Sequence, residues 1–215
     1  TLISYVLKST DFIKKEDTII VAGYKKEMVV QSVGNGYKYV SQDEQLGTGH
    51  AVMMTKELLK DYDGDILILY GDMPLFTKST LKNFVEEHRK SNSLCTVMTA
   101  LVDDPPDYGR IIRDEKGDLA DIIETKDCND EQLKIKELNV GVYVFDSRTL
   151  FANLNKLKNN NMQGEYYLTD IPKILLSQGI KVNTFTLDNS DEIYGVNTLE
   201  ELDFCEKVLE GRKKE

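Results

Sequence analysis

Asp65-Ile66-Leu67-Ile68-Leu69-Tyr70-Gly71-Asp72-Met73-Pro74-Leu75 is the stretch whose reading decides the fold. Ile66 to Tyr70 form an unalternating apolar run, too short for a helix and patterned as a strand buried on both faces should be. Gly71 permits a sharp exit from that strand, and Pro74 cannot donate to a continuing ladder. Asp72 thus stands at the carboxyl end of a central strand, the edge where open α/β sheets bind their ligands. Such a carboxylate reads either as a turn residue or as a ligand for a metal or ribose. The segments on either side decide between the two.

Working outward toward the amino end, the polar loop Gln42-Asp43-Glu44-Gln45-Leu46-Gly47-Thr48-Gly49-His50-Ala51 opens a helix expected over Thr48–Leu59. A glycine-flanked threonine at a helix start exposes backbone N–H groups to an anion or carbonyl. An amide such as Gln42 offers both a donor and an acceptor, which suits the N3–H and O4 edge of uracil. Before the loop come an amphipathic helix with Leu2, Ile3, Val6 and Leu7 on one face, a strand at Thr18–Gly23, a helix at Tyr24–Val33 and a short strand at Tyr37–Val40.

Working outward in the other direction, Leu81, Phe84, Val85 and His88 keep helical spacing, and Leu94–Val102 is a strand rich in residues that suit one. Tyr108–Asp114 and Leu119–Glu124 flank Glu115-Lys116-Gly117-Asp118, a hairpin signal. Leu138–Phe145 reads as a buried strand, Ser147–Leu157 and Leu168–Gln178 as helices, and Ile180–Leu187 as a strand. Thr169 is placed to cap the second of those helices, with Pro172 in its first turn. Thr198-Leu199-Glu200-Glu201 matches a capping box that opens the last helix, and Arg212-Lys213-Lys214 reads as a solvated basic tail. Asp63-Gly64-Asp65 precedes the central strand and reads as a turn rather than a metal motif. Strands alternating with helices and interrupted by a hairpin define an α/β fold, a Rossmann-like, mostly parallel mixed sheet flanked by helices. Such a fold ordinarily opens on a central strand, whereas this chain opens on a helix, so a strand and its following loop are expected to be absent from the sequence.

At 215 residues the chain is long enough for one well-cored domain. A net charge of −10 argues against nonspecific nucleic-acid binding, while leaving room for a phosphate substrate held by local cations, amides and a metal. Cys95, Cys128 and Cys205 have neither disulfide nor zinc spacing, which fits a reducing compartment, and the expected location is the cytoplasm. No apolar run reaches transmembrane length, so no membrane partner is expected.

The Gln42–Ala51 loop resembles the uracil-binding loop of bacterial N-acetylglucosamine-1-phosphate uridyltransferases. Tyr70-Gly71-Asp72-Met73-Pro74-Leu75 resembles the metal and ribose segment of that family. Tyr108-Gly109-Arg110-Ile111, Ile123-Glu124-Thr125-Lys126-Asp127, Glu137-Leu138-Asn139-Val140-Gly141, Gln163–Asp170 and Gly195-Val196-Asn197 follow in the family's order. The resemblance covers essentially the whole chain. It implies uridylyl transfer from UTP to N-acetylglucosamine 1-phosphate by a single nucleotidyltransferase domain spanning residues 1–215, with the hairpin as a sugar-binding insertion. It implies that Gln42, Gly47 and Thr48 recognise uracil, and that Tyr70, Gly71 and Asp72 meet the ribose. Asp72 and Asn197 would hold one Mg²⁺, Gly109, Glu124, Asn139, Tyr167 and Thr169 would line the sugar pocket, and Lys126 would contact phosphates.

The departures carry expectations of their own. The family's N-terminal strand with Gly-x-Gly-Thr-x-Met and a downstream lysine, which cradles the triphosphate, is missing from the sequence. Asp107 replaces the glycine usual before Tyr108-Gly109, and Thr198-Leu199 replaces Asn-Arg, so a nearby cation is lost. The C-terminal left-handed β-helix is expected to be absent too, and with it the acetyltransferase activity and the trimerising surface. Two other readings stay open: a nucleotidyltransferase for another sugar phosphate, and a nucleotide-sugar-binding domain without catalysis.

Overall fold

The ten-residue strand Glu137–Asp146 is the axis of the sheet, and its eight inner residues are all buried. Around it the computed structural model describes residues 1–212; Lys213 and Lys214 of the expected basic tail lie outside the described residues. In chain order the elements are α1 (Leu2–Ser9), β1 (Ile19–Ala22), α2 (Lys26–Val33), β2 (Lys38–Ser41), α3 (Thr48–Met53), α4 (Lys56–Leu59) and β3 (Asp65–Ile68). They continue as α5 (Lys78–Lys90), β4 (Cys95–Leu101), β5 (Arg110–Arg113), β6 (Leu119–Ile123), α6 (Asp130–Leu133) and β7 (Glu137–Asp146). The last four are α7 (Ser147–Leu154), α8 (Asp170–Ser177), β8 (Asn183–Thr186) and α9 (Leu199–Arg212).

One edge of β7 pairs along its length with β4, from Cys95 opposite Phe145 to Leu101 opposite Glu137. The other edge is shared: β3 takes the carboxyl half, with Ile68 opposite Tyr143, and β5 takes the amino half, with Arg110 opposite Leu138. The change of partner falls at Gly141, whose φ of +81° and lack of Cβ admit the Tyr70 ring; an added Cβ would stand 2.5 Å from it. With β8 parallel to β4 and β5 antiparallel to β7, the strands β3, β4, β5 and β8 point one way, against β6 and β7. This is the mostly parallel mixed sheet expected, and its β5–β6 pair is the expected hairpin.

Alternation along β7 separates two cores. Tyr143 and Phe145 join Leu150 and Leu154 of α7 and Ile171 and Leu175 of α8 on one face. Val142 and Val144 join Leu81 and Phe84 of α5 on the other. Phe84 is fully buried, so Phe84→Ala is expected to cost about 3–5 kcal/mol of stability, read as a fall in denaturant midpoint at unchanged slope.

Several local expectations need correction. The helix expected over Thr48–Leu59 is two pieces, interrupted after Met53. The central strand does send Ile66 and Ile68 to one core and Leu67 and Leu69 to the other. Its four residues are nevertheless only half-buried, because β7 is the one strand that pairs with it among the described residues. The outer edge of β1 is likewise open, and β1 and β2 form a separate parallel pair. Gly71 does not adopt a positive φ, and a Cβ there would only reach Ile3 at 3.9 Å, so the exit from β3 does not depend on glycine. Thr169 stands at the N-cap position of α8 without a capping hydrogen bond, for its hydroxyl is used elsewhere.

Candidate active site

The loop that carries Gln42 is bound to the segment that carries Tyr167. The Tyr166 N–H donates to Leu46 O at 2.8 Å, the Gly49 N–H to Tyr166 O at 2.7 Å, and the Leu168 N–H to Thr48 Oγ1 at 3.0 Å. Gly47 makes this approach possible, with φ +105° and no room for a Cβ, which would lie 2.7 Å from Tyr166 O. The helix start is therefore less open than the sequence suggested, since the Gly49 amide is already used. Gln42 differs in detail as well. Its Nε2 donates to Gly47 O at 3.0 Å and lies 3.2 Å from His50 Nδ1, which leaves the carbonyl oxygen to face a ligand donor. That arrangement suits the N3–H of uracil.

A second group of side chains collects where β5, β6 and β7 meet the start of α8. Glu124 follows β6, and its Oε1 accepts from the Thr169 hydroxyl. Its Oε2 would lie 3.5 Å from a Cβ on Gly109, an ordinary contact, so Gly109 stands beside the Glu124 carboxyl. Asn139, in β7, donates from Nδ2 to Tyr143 Oη at 2.8 Å and accepts the Gly141 N–H at 3.2 Å. One amide hydrogen of Asn139 remains for a ligand. The Tyr167 hydroxyl is buried without a hydrogen-bond partner, an orphaned group of the kind a bound sugar hydroxyl would satisfy. Burial pushes the Glu124 carboxyl up, opposed by the Thr169 hydrogen bond and by Lys173. Burial, the nearby Glu124 charge and Asp72 push the Tyr70 phenol up as well.

At the end of β3, Asp72 O accepts the Val196 N–H at 3.0 Å, which brings Asp72 and Asn197 into adjoining segments although they are far apart in sequence. Asp72 keeps part of its surface in solvent, yet the protein packed around its carboxyl pushes the pKa up, and the Glu201 charge adds to this. Glu201 was legible only as half of a capping box. The box is present: Thr198 N–H donates to Glu201 Oε2 at 2.8 Å, and Glu201 N–H to Thr198 Oγ1 at 3.1 Å. The same Oε2 accepts the Asn197 N–H at 2.6 Å, so the carboxylate also fixes the backbone of the residue expected to hold a metal. A carboxylate and an amide oxygen, with a further carboxylate behind them, are a donor set for a hard cation that keeps waters and phosphate oxygens as its other ligands. Lys126 is exposed in the turn after Glu124.

Sequence reasoning also missed Tyr108 and Arg110. Tyr108 Oη donates to Ile193 O at 2.8 Å, tying the hairpin's approach to the Asn197 segment. Arg110 is 3% exposed, and its guanidinium donates to the carbonyls of Pro106, Tyr108 and Leu133, which fixes the loop leading to Gly109. Burial of an arginine among carbonyls has no signature in the sequence. His88, expected as a core residue, is one: it is 1% exposed and lies 2.8 Å from Thr96 Oγ1.

A mixed sheet with an amide-bearing glycine loop, and with Asp72 in the segment that leaves β3, has the architecture of a nucleotide-handling α/β enzyme. The sequence pattern of the nucleotidyl transferase family matches residues 1–191, and the chain belongs to that family. Among curated proteins it is 42% identical over 212 residues to the bifunctional protein GlmU of Limosilactobacillus reuteri, covering 99% of this chain and 47% of that protein. The GlmU proteins of Streptococcus gordonii and Acetivibrio thermocellus are 42% and 40% identical, over 99% and 98% of this chain. This chain spans about half the length of these relatives. In fold it is similar to a Bacillus anthracis crystal structure described as a candidate glucose-1-phosphate thymidylyltransferase with a bound sucrose, at TM-score 0.67 and 22% identity, covering 86% of this chain and 72% of that one.

Proposed function

We propose that this chain is a pyrophosphorylase domain that transfers a uridylyl group from UTP to N-acetylglucosamine 1-phosphate. The observation that carries the reading is the stitching of the Gln42–Thr48 loop to Tyr166–Leu168 by three hydrogen bonds. It ties the loop of Gln42, read here as the uracil contact, to the segment of Tyr167 and Thr169, which supports a reading in which the two hold the two ends of one nucleotide sugar. The similarity to GlmU proteins over nearly the whole chain supports the same substrates.

In the reaction a phosphate oxygen of the sugar 1-phosphate attacks the α-phosphorus of UTP in line. The α–β phosphoanhydride breaks, pyrophosphate leaves, and no proton need move. The protein's contribution is positioning. Gln42 Oε1 accepts from uracil N3–H, Glu124 and Tyr167 orient the sugar hydroxyls, and the free N–H of Asn139 meets the acetamido carbonyl. Asp72 and Asn197 would hold Mg²⁺, which supplies charge neutralisation at the phosphates when bound. Lys126 adds a cation for the phosphates. We propose that residues 1–215 act as one nucleotidyltransferase domain.

Gln42→Ala is expected to weaken UTP by about tenfold, the cost of one lost hydrogen bond to a site built for it. Inorganic triphosphate should bind the variant and the parent equally in calorimetric titration. Equal losses for the two ligands would remove Gln42 from uracil recognition.

A further inference from the structure

Between Asp72 and Asn197 lies a clamp that neither the family assignment nor the site residues explain. The segment leaving β3 and the segment entering α9 run side by side in opposite directions. At one end Asp72 O accepts the Val196 N–H at 3.0 Å. At the other end Glu192, 5% exposed, reaches across to the first turn of α5: its Oε2 accepts the Thr77 N–H at 3.0 Å and its Oε1 the Thr80 hydroxyl at 2.9 Å. Thr77 already caps α5 from its own side chain, accepting the Thr80 N–H at 3.1 Å. The Glu192 carboxylate is therefore a second cap, supplied from more than a hundred residues away. A negative group at a helix start is electrostatically favourable, and its burial is tolerated because both oxygens are used. Met73 and Ile193 pack between the two ends in one core, and Gly195 brings its backbone against Asp72 O.

We propose that Glu192 is a positioning residue for the Asp72–Asn197 pair. It sets the spacing of the two segments from the far end, so that Asp72 and Asn197 stay within reach of one divalent cation. The inference rests on the proposed metal role of that pair. An apolar side chain at 192 would fill the volume, but it would leave the Thr77 N–H unpartnered and the Thr80 hydroxyl with Thr77 Oγ1 alone. The first turn of α5 would then be free to part from the Asn197 segment. A glutamine would keep both contacts, accepting from the Thr77 N–H and donating to the Thr80 oxygen, so the spacing depends on the hydrogen bonds and not on the charge.

The test is Mn²⁺ binding to the full-length protein, followed by electron paramagnetic resonance, with UDP affinity measured without metal alongside. Asp72→Ala defines the signal: it should remove the binding in question, and if it removes none, the metal reading fails and this inference with it. Glu192→Leu should raise the Mn²⁺ Kd at that site at least tenfold, in the range seen for residues that orient metal ligands, while UDP affinity stays unchanged. Glu192→Gln should restore Mn²⁺ affinity to within about threefold. If Glu192→Leu does not fold, Thr80→Val removes one of the two contacts and should shift Mn²⁺ binding in the same direction. An Asp72-dependent site that Glu192→Leu or Thr80→Val leaves intact, with only thermal stability lowered, would show that Glu192 caps the helix and does nothing more.

Discussion

Asp72→Ala should lower kcat for pyrophosphate release by about a hundred- to a thousandfold, the scale on which removing one preorganised charge-stabilising group acts. Asp72 lies at the end of β3, in register with Val196 and beside Glu201. UDP affinity measured without metal should fall by less than kcat does, since Asp72 gives up only a ribose contact while Gln42 and its loop attach to Tyr166 and Leu168 and not to Asp72. A variant with unchanged kcat would move the metal elsewhere.

Glu124→Gln should raise the KM for the sugar phosphate by roughly ten- to a hundredfold, the worth of hydrogen bonds to a charged group. The same variant should be more stable than the parent at neutral pH. Folding raises the Glu124 carboxyl above its ordinary value through burial. The protonated form is therefore favoured in the folded state, and the stability it contributes at low pH is lost as pH rises through the raised value. A neutral amide escapes that loss. Loss of substrate affinity with a gain in stability is the mark of a charge kept for function. The pH profile should follow: with Glu124 pushed up, affinity for the sugar phosphate should fall on acidification at a pH above that of an ordinary carboxylate. A Glu124→Gln protein less stable than the parent at pH 7 and equally active would contradict this role.

Much of the fold was legible because its signals are local. The β5–β6 hairpin follows from Glu115-Lys116-Gly117-Asp118, α5 from the spacing of Leu81, Phe84 and His88, and the start of α9 from Thr198 and Glu201. The apolar run of β3 correctly gave a strand facing two cores, but its exposure depends on which strands lie beside it, and no run of residues carries that information. Gly71 drew notice for its place in a motif, whereas glycines under real steric demand include Gly141, pressed against Tyr70 from a distant strand, and Gly47, pressed against Tyr166 O. The site was legible as a set of residue types and only partly as geometry. Gln42 and Asn139 were read as ligand contacts, yet both are half-engaged with their own protein surroundings. Thr169 was read as a cap and instead serves Glu124. Glu192, Arg110 and Tyr108 act through contacts with distant carbonyls, amides and hydroxyls, and sequence spacing is silent on such pairs.

The central claim, one site that reads uracil at Gln42 and an N-acetylated sugar at Glu124 and Asn139, is tested most directly by pyrophosphate release from UTP. The assay compares N-acetylglucosamine 1-phosphate with glucose 1-phosphate as acceptor for the full-length protein. The account predicts a kcat/KM at least about tenfold higher for the acetamido sugar, the value of one correctly paired polar group, and predicts that Asn139→Ala narrows the gap. Glucose 1-phosphate as the better acceptor, or no pyrophosphate release with either sugar, would contradict it.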